Sequence, residues 1–278
     1  GMPTCQGRPQ WQRCVVTVLT GVSVGFGYSS IVYGWGVLVE PLNHDHTDWL
    51  RANLDLAFSF ADMSGCLMAP IVGILMDKWG PSVVIIGSLL ATAGGFVLLS
   101  FASQLWQVYV AFVLAGIGLP GIFPLGMVKM IANWWTNSPS GLSLGMVTGF
   151  VSAGINISGL TVTSLGTWVI DGLGFKWQNL SRMLATCLGI VATFDWFFLR
   201  DQPDTGLSQN YIQATKTRED TGGNTESSSF QYKREVFCNP VFYPTCIGIM
   251  CAFWTYAGVL SQLNPALQDE GFTKAAAA

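Results

Sequence analysis

Charge is what this chain most conspicuously lacks. Only 10% of its 278 residues are Asp, Glu, Lys or Arg. There is none from Trp79 to Val128 and, after Lys129, none again from Met130 to Ile170. No soluble domain covers that much surface without charge, so a soluble fold is excluded. About 20 apolar residues cross a bilayer core, and these two runs are long enough for three crossings. Histidine is nearly absent too, with two in the chain, and no nucleophile–base constellation is visible, so no enzyme is expected. The formal net charge of −3 argues against a nucleic-acid partner. Alternating segments of about ten residues, the mark of a membrane barrel, are also missing. The first apolar run is too long for a signal-peptide core and has no small-residue cleavage site, so it is expected to remain as a permanent helix.

What is present points to packed membrane helices. Half of the residues are hydrophobic, and the 32 Gly and 11 Trp suit close helix contacts and interfacial anchoring. The seven Cys are scattered, and Cys14, Cys66, Cys187, Cys246 and Cys251 fall inside apolar runs. Buried free thiols acting as small hydrophobes are expected there, not disulfides or metal ligands. No cofactor is implied.

The chain reads as an all-α, polytopic membrane protein with seven spanning helices. They cover about 14–39, 53–76, 81–102, 105–130, 141–170, 180–199 and 236–263. Pro41 and Asn43-His44-Asp45-His46 close the first, and Asp77-Lys78 ends the second. Pro81 suits the first turn of the third, where its missing N–H costs nothing. Trp134-Trp135 anchors the loop after the fourth at the interface. Residues 200–234 are polar, rich in Ser, Thr and Gly, with mixed charges, and cannot bury a core. Gly271-Phe272-Thr273-Lys274 and four alanines look like the opening turns of an eighth helix. Three parts follow: a six-helix bundle over 1–199, a linker over 200–235, and a further helical part over 236–278.

Orientation follows from the basic residues. With the N-terminus cytoplasmic, that side holds Arg8, Arg13, Lys78, Lys129, Arg200, Lys216, Arg218, Lys233 and Arg234; the other holds Arg51, Lys176, Arg182 and Lys274. That distribution fits the positive-inside rule, so the N-terminus and the 200–234 loop are both expected to be cytoplasmic, in a plasma or inner membrane.

Six helices, a long linker and a seventh helix resemble the plan of the major facilitator superfamily. The run Gly73-Ile74-Leu75-Met76-Asp77-Lys78-Trp79-Gly80-Pro81 is similar to that family's G-x-x-x-D-(R/K)-x-G motif between helices 2 and 3. Gly73 lets helices approach closely, Gly80 permits the tight turn, and Asp77 can sit against the positive end of a neighbouring helix. The resemblance implies a conformational latch built of Gly73, Asp77, Lys78 and Gly80. Within the family, Gly80-Pro81, Leu56-Ala57-Phe58-Ser59-Phe60, Asn133-Trp134-Trp135 and Leu199-Arg200-Asp201-Gln202-Pro203 resemble the monocarboxylate-transporter and oxalate/formate-antiporter branch. Some features depart from family patterns. Phe112 stands four residues before Gly116-Ile117-Gly118, where many proton-coupled members carry arginine. Gly154 and Gly159 remain of the drug-antiporter signature without its proline, and the first helix has no lysine.

Asp62, near the middle of the second helix, is the sharpest candidate. An ionisable group at that depth is costly and marks a site able to take up and release a proton, or else a structural Asp bonded across helices. The resemblance adds Tyr28, Tyr33 and Trp35 on helix 1, and Trp254 and Tyr256 on helix 7, as possible hydrogen-bond donors to a small carboxylate; packing is their ordinary alternative. Asn156 is a mid-membrane polar group suited to helix–helix contact or to ligand contact. Asp55 is expected in an exposed pair with Arg51 one turn away, Asp195 to reach toward headgroups near Arg200, and Lys129 to anchor its helix end or steer anions. His44-Asp45-His46-Thr47-Asp48 reads as a solvated turn, not a metal site.

The resemblance implies a secondary transporter that moves a small organic anion by alternating access, coupled to protons or to exchange. Its rivals are a sugar or drug porter of the same fold and a non-transporting, receptor-like or accessory membrane module. This fold places its substrate between two six-helix halves. The C-terminal half is therefore expected to be missing from the chain, which reads as a fragment of a protein of about 400 residues that completes its cavity with the other half.

Overall fold

The computed structural model describes residues 10–135 and 143–201, with the isolated positions 244 and 248. The chain divides into two compact units, and the helices below belong to the one containing Pro9–Asp201. They are α1 (Gln10–Asp45), α2 (Arg51–Trp79), α3 (Pro81–Ser100), α4 (Leu105–Ile122), α5 (Leu125–Trp135), α6 (Leu144–Thr167) and α7 (Trp177–Phe198), with a π-helical turn at Trp168–Gly172. Among the described residues there is no strand. Among the described residues six stretches are long and apolar enough to cross a membrane, α4 and α5 together making the fourth, Leu105–Trp135. The expected seventh helix and the start of an eighth lie outside the described residues.

The helices are apolar nearly all round, so a hydrophobic stripe alone cannot orient them. Small residues and short polar bridges do that instead, as expected where lipid is as apolar as the core. α3 packs on α4 and α7, α1 on α6, and α2 on α4. At the α2–α4 crossing, a Cβ on Gly116 would lie 2.6 Å from the Cα of Ala61, so only glycine admits that approach. Ser64 Oγ donates to Val113 O at 3.1 Å and Tyr109 Oη to Asn53 O at 2.9 Å across the same pair. Ser29 Oγ donates to Ile155 O at 3.0 Å between α1 and α6. Ile31, Leu38, Leu42, Leu54, Ile85, Leu89 and Ile122 form the sealed interior.

Several boundaries differ from those read in the sequence. α1 does not close at Pro41 but continues through it to Asp45. Leu42 is buried there, and Trp177 Nε1 donates to Asp45 Oδ2 at 2.9 Å; these contacts outweigh the one N–H that proline removes. The fourth span is not continuous. Phe123 is extended (φ −141°, ψ 137°) between α4 and α5, because a residue before proline is driven out of the helical region. α6 starts at the Ser143 cap, whose Oγ accepts from Met146 N at 3.2 Å. α7 begins three residues earlier than expected, at the buried Trp177.

Two expectations about burial fail. Cys14 and Cys66 are free but exposed, because an apolar run alone does not say which of its sides faces the bundle; Cys187 is half-buried, and Cys246 and Cys251 lie outside the described residues. Asp195 does not reach toward headgroups: it is 1% exposed. Its register explains this, since Ser181, Leu184, Leu188 and Ala192 put one face of α7 against the bundle and Asp195 continues that face. A side chain as short as Asp cannot reach back to the surface from there. Both carboxylate oxygens are sealed in without a hydrogen-bond partner among the described residues; Ser23 faces them, but its hydroxyl donates to Leu19 O at 2.8 Å.

Candidate transport site and end latch

Two polar groupings stand out in the described bundle. The first lies at the end where α2 passes into α3. Gly80 makes the turn with φ +86°, a conformation that a side chain would strain, and Pro81 opens α3 with its fixed φ. Asp77, 78% exposed, pairs with Lys129 of α5, which is 32% exposed. The sequence reading places Asp77 against the start of a neighbouring helix; among the described residues it holds Lys129, and a different carboxylate meets a helix start. Asp201 Oδ1 accepts from Ser82 N at 2.5 Å in the first turn of α3. Lys78 is exposed. Around Gly73 a Cβ would meet nothing within 4 Å, so no close helix approach in the described bundle depends on that glycine.

α5 gathers this end together. Besides Lys129, its Trp134 Nε1 donates to Arg200 O at 3.0 Å and its Trp135 Nε1 to Thr17 Oγ1 at 2.8 Å. One short helix thus ties α1, α2 and the chain leaving α7. Trp134-Trp135 is legible in sequence as an interface anchor, but not as this tether, because its partners lie far away in the chain.

The second grouping is at mid-membrane. Asp62 is half-buried and, among the described residues, has no hydrogen-bond partner; of the described Asp, Glu, Lys, Arg and His side chains it is also the furthest from a helix end. It shares one face of α2 with Asp55, Ser59 and Cys66, spaced by about one helical turn, and all four are at least partly exposed. Between α1 and α6, Tyr33 Oη donates to Asn156 Oδ1 at 3.3 Å, and Asn156 Nδ2 donates to Ser152 O at 3.4 Å. Tyr33 and Asn156 are therefore brought together, and Asp62 stands apart from them on α2. Tyr28 is buried with its ring edge-on to Phe123, centroids 5.0 Å apart. Trp35 is sealed in the core, edge-on to Phe112 at 4.8 Å, and its Nε1 donates to Asp55 Oδ1 at 3.4 Å, so it faces no open cavity. Asp55 is thus a half-buried acceptor and not simply one end of an exposed pair. Trp254 and Tyr256 lie outside the described residues. His46 stacks on Trp49 with centroids 3.9 Å apart, and among the described residues no three His, Cys, Asp or Glu side chains gather to hold a metal ion.

Comparison with known proteins bears on this geometry. The sequence profile of the Major Facilitator Superfamily matches residues 14–278. The chain is 30% identical to multidrug resistance protein MdtG of Proteus mirabilis over 237 residues, which is 85% of this chain and 52% of that protein. It is 28% identical to MdtG of Yersinia enterocolitica over 194 residues, 69% of this chain and 45% of that protein. With the probable transporter mch1 of Aspergillus fumigatus it shares 24% over 222 residues, 72% of this chain and 35% of that protein. The chain spans about half the length of the curated relatives it matches, or less.

Proposed function

The chain belongs to the Major Facilitator Superfamily, and on that premise we propose that it carries a small organic anion across the membrane by alternating access, with proton coupling or exchange. It is a multi-pass membrane protein of a secondary-transporter family and not an enzyme. The observation that carries the mechanistic reading is the exposed Asp77–Lys129 pair across α2 and α5. An exposed ion pair contributes about 0–1 kcal/mol, so it can form and part as one half of the molecule rocks against the other. The described helices provide one such half. In this reading the Asp77 end, the N-terminus and the 200–234 loop face the cytoplasm in a plasma or inner membrane. Asp62 holds the coupling proton, and the Tyr33–Asn156 pair offers hydrogen bonds to a carboxylate.

The anion reading rests on the run Asp77-Lys78-Trp79-Gly80-Pro81 and on Asn133-Trp134-Trp135. A second reading, drug export, is favoured by the similarity to two multidrug resistance proteins. Reconstitution separates them. The protein expressed from its complete reading frame is placed in liposomes, and uptake of labelled monocarboxylates and oxalate is measured beside transport of a cationic dye. Saturable anion uptake supports the first reading, and dye transport alone supports the second. Neither, from folded protein, leaves the non-transporting membrane module.

A further inference from the structure

The outer surface of the described bundle is apolar, as a lipid-facing surface must be, but between α3 and α7 it is concave. A groove of about 670 Å³, open along its length, is lined by Leu90 of α3 and by Gly189, Ile190, Phe194, Phe197 and Phe198 of α7. Gly189 makes the notch, since a Cβ there would meet nothing within 4 Å. Phe194 and Phe198 stack along the lower wall, centroids 6.3 Å apart and 20° between planes. Two threonines also reach the groove, but Thr186 Oγ1 donates to Arg182 O and Thr193 Oγ1 to Gly189 O, both at 2.7 Å. Their O–H donors are engaged on their own helix and the rest of the lining is apolar, which suits an occupant that is apolar along its length.

The groove's extent and its end identify that occupant. From Thr186 to Phe198 the helix rises about 18 Å at ~1.5 Å per residue, against about 15 Å for half of a bilayer core. Two residues beyond Phe198, Arg200 is exposed, and its guanidinium has no acidic partner among the described residues. Its backbone is held in place from both sides, by Trp134 Nε1 on Arg200 O and by Asp201 on Ser82 N. An apolar slot about one leaflet long, with an exposed cation two residues past the last residue of its wall, matches a lipid with a negative headgroup. We propose that the α3–α7 groove is a binding site for one acyl chain of an anionic phospholipid whose headgroup is held by Arg200.

The test uses the purified protein reconstituted with equal amounts of phosphatidylcholine and phosphatidylglycerol, extracted in mild detergent and examined by native mass spectrometry for retained lipid. The unaltered protein should keep phosphatidylglycerol in preference. Arg200→Gln should lower that preference about fivefold, the effect of one interfacial cation. Gly189→Leu should remove retained lipid of both kinds with unchanged helical signal, since the added side chain enters open space. Equal retention by the unaltered protein and Arg200→Gln overturns the proposal, and Arg200→Gln decides this alone if Gly189→Leu misfolds. A lipid-free dimer that Gly189→Leu dissociates also overturns it, by making a second copy the occupant.

Discussion

Replacing Gly116 by alanine tests whether the α2–α4 crossing is set by backbone contact. Two effects oppose each other. Alanine is favoured over glycine inside a helix by about 0.5–1 kcal/mol. Against that, the new Cβ would lie 2.6 Å from the Cα of Ala61, well inside the 3.4–4 Å of ordinary contact. The neighbour is main chain and cannot swing aside, so α2 and α4 must separate by about 1 Å. That shift strains the Ser64–Val113 and Tyr109–Asn53 bridges along with the packing. Overpacking of this kind costs about 1–3 kcal/mol and occasionally more, so after the helix gain a net loss of about 1 kcal/mol is expected. For a bundle of this size that lowers the thermal midpoint by about 2–4 °C. Gly87 is the control, because a Cβ there meets nothing within 4 Å. Gly87→Ala should keep the helix gain and raise the midpoint by about 1–4 °C. Both are read by thermal unfolding in one detergent. A Gly116→Ala midpoint equal to or above that of the unaltered protein would refute the reasoning, since the steric term would then be smaller than the propensity term.

Other outcomes follow from the two polar groupings. Asp62→Asn should abolish the response of uptake to a pH gradient while leaving exchange partly intact; uptake with unchanged pH dependence removes Asp62 from the coupling path. Lys129→Gln removes an exposed pair and should move the thermal midpoint by less than about 4 °C yet change the transport rate severalfold; a larger fall in midpoint with normal transport makes the pair purely structural. Asp201→Ala should cost about 1 kcal/mol, visible as faster amide exchange in the first turn of α3, and unaltered exchange there disproves the cap. A cysteine introduced by Ser227→Cys on a background without other cysteines should resist an impermeant maleimide added outside intact cells; ready labelling reverses the proposed orientation.

The six spans were legible because a bilayer sets the length of an apolar run more rigidly than any core does. Charge-free runs bounded by Asp77-Lys78, Lys129 and Asp171 therefore located helices within a few residues. Where a span breaks was not legible. Pro41, Pro70 and Pro120 lie within helices, whereas Pro124 follows the residue at which one ends. The outcome depends on what packs around the proline, not on the proline. Facing was equally obscure for helices that are apolar on all sides, so Cys66 could turn outward and Trp35 inward. Asp195 is the exception in principle: its buried face follows the helical spacing of Ser181, Leu184, Leu188 and Ala192. The motif loop announced itself, but its partner did not. Lys129 lies 52 residues from Asp77, and only the fold shows that they meet.

The interruption at Phe123 has a mechanical consequence. An unbroken helix over the 31 residues of Leu105–Trp135 would act as a single stiff rod, and any displacement of Lys129 would tilt the whole of it, including the tightly fitted crossing at Gly116. With the ladder of backbone hydrogen bonds cut at 123–124, the span behaves as two rods joined by a pivot. α4 is clamped to α2 and α3 through its glycines, while α5 is seated by its own packing, with Met127, Met130, Ile131, Trp134 and Trp135 buried, and by its three tethers. The seam at 123–124 therefore separates the stretch of the span that is fitted to α2 and α3 from the stretch that carries the Asp77 contact, so neither has to continue the other's helix.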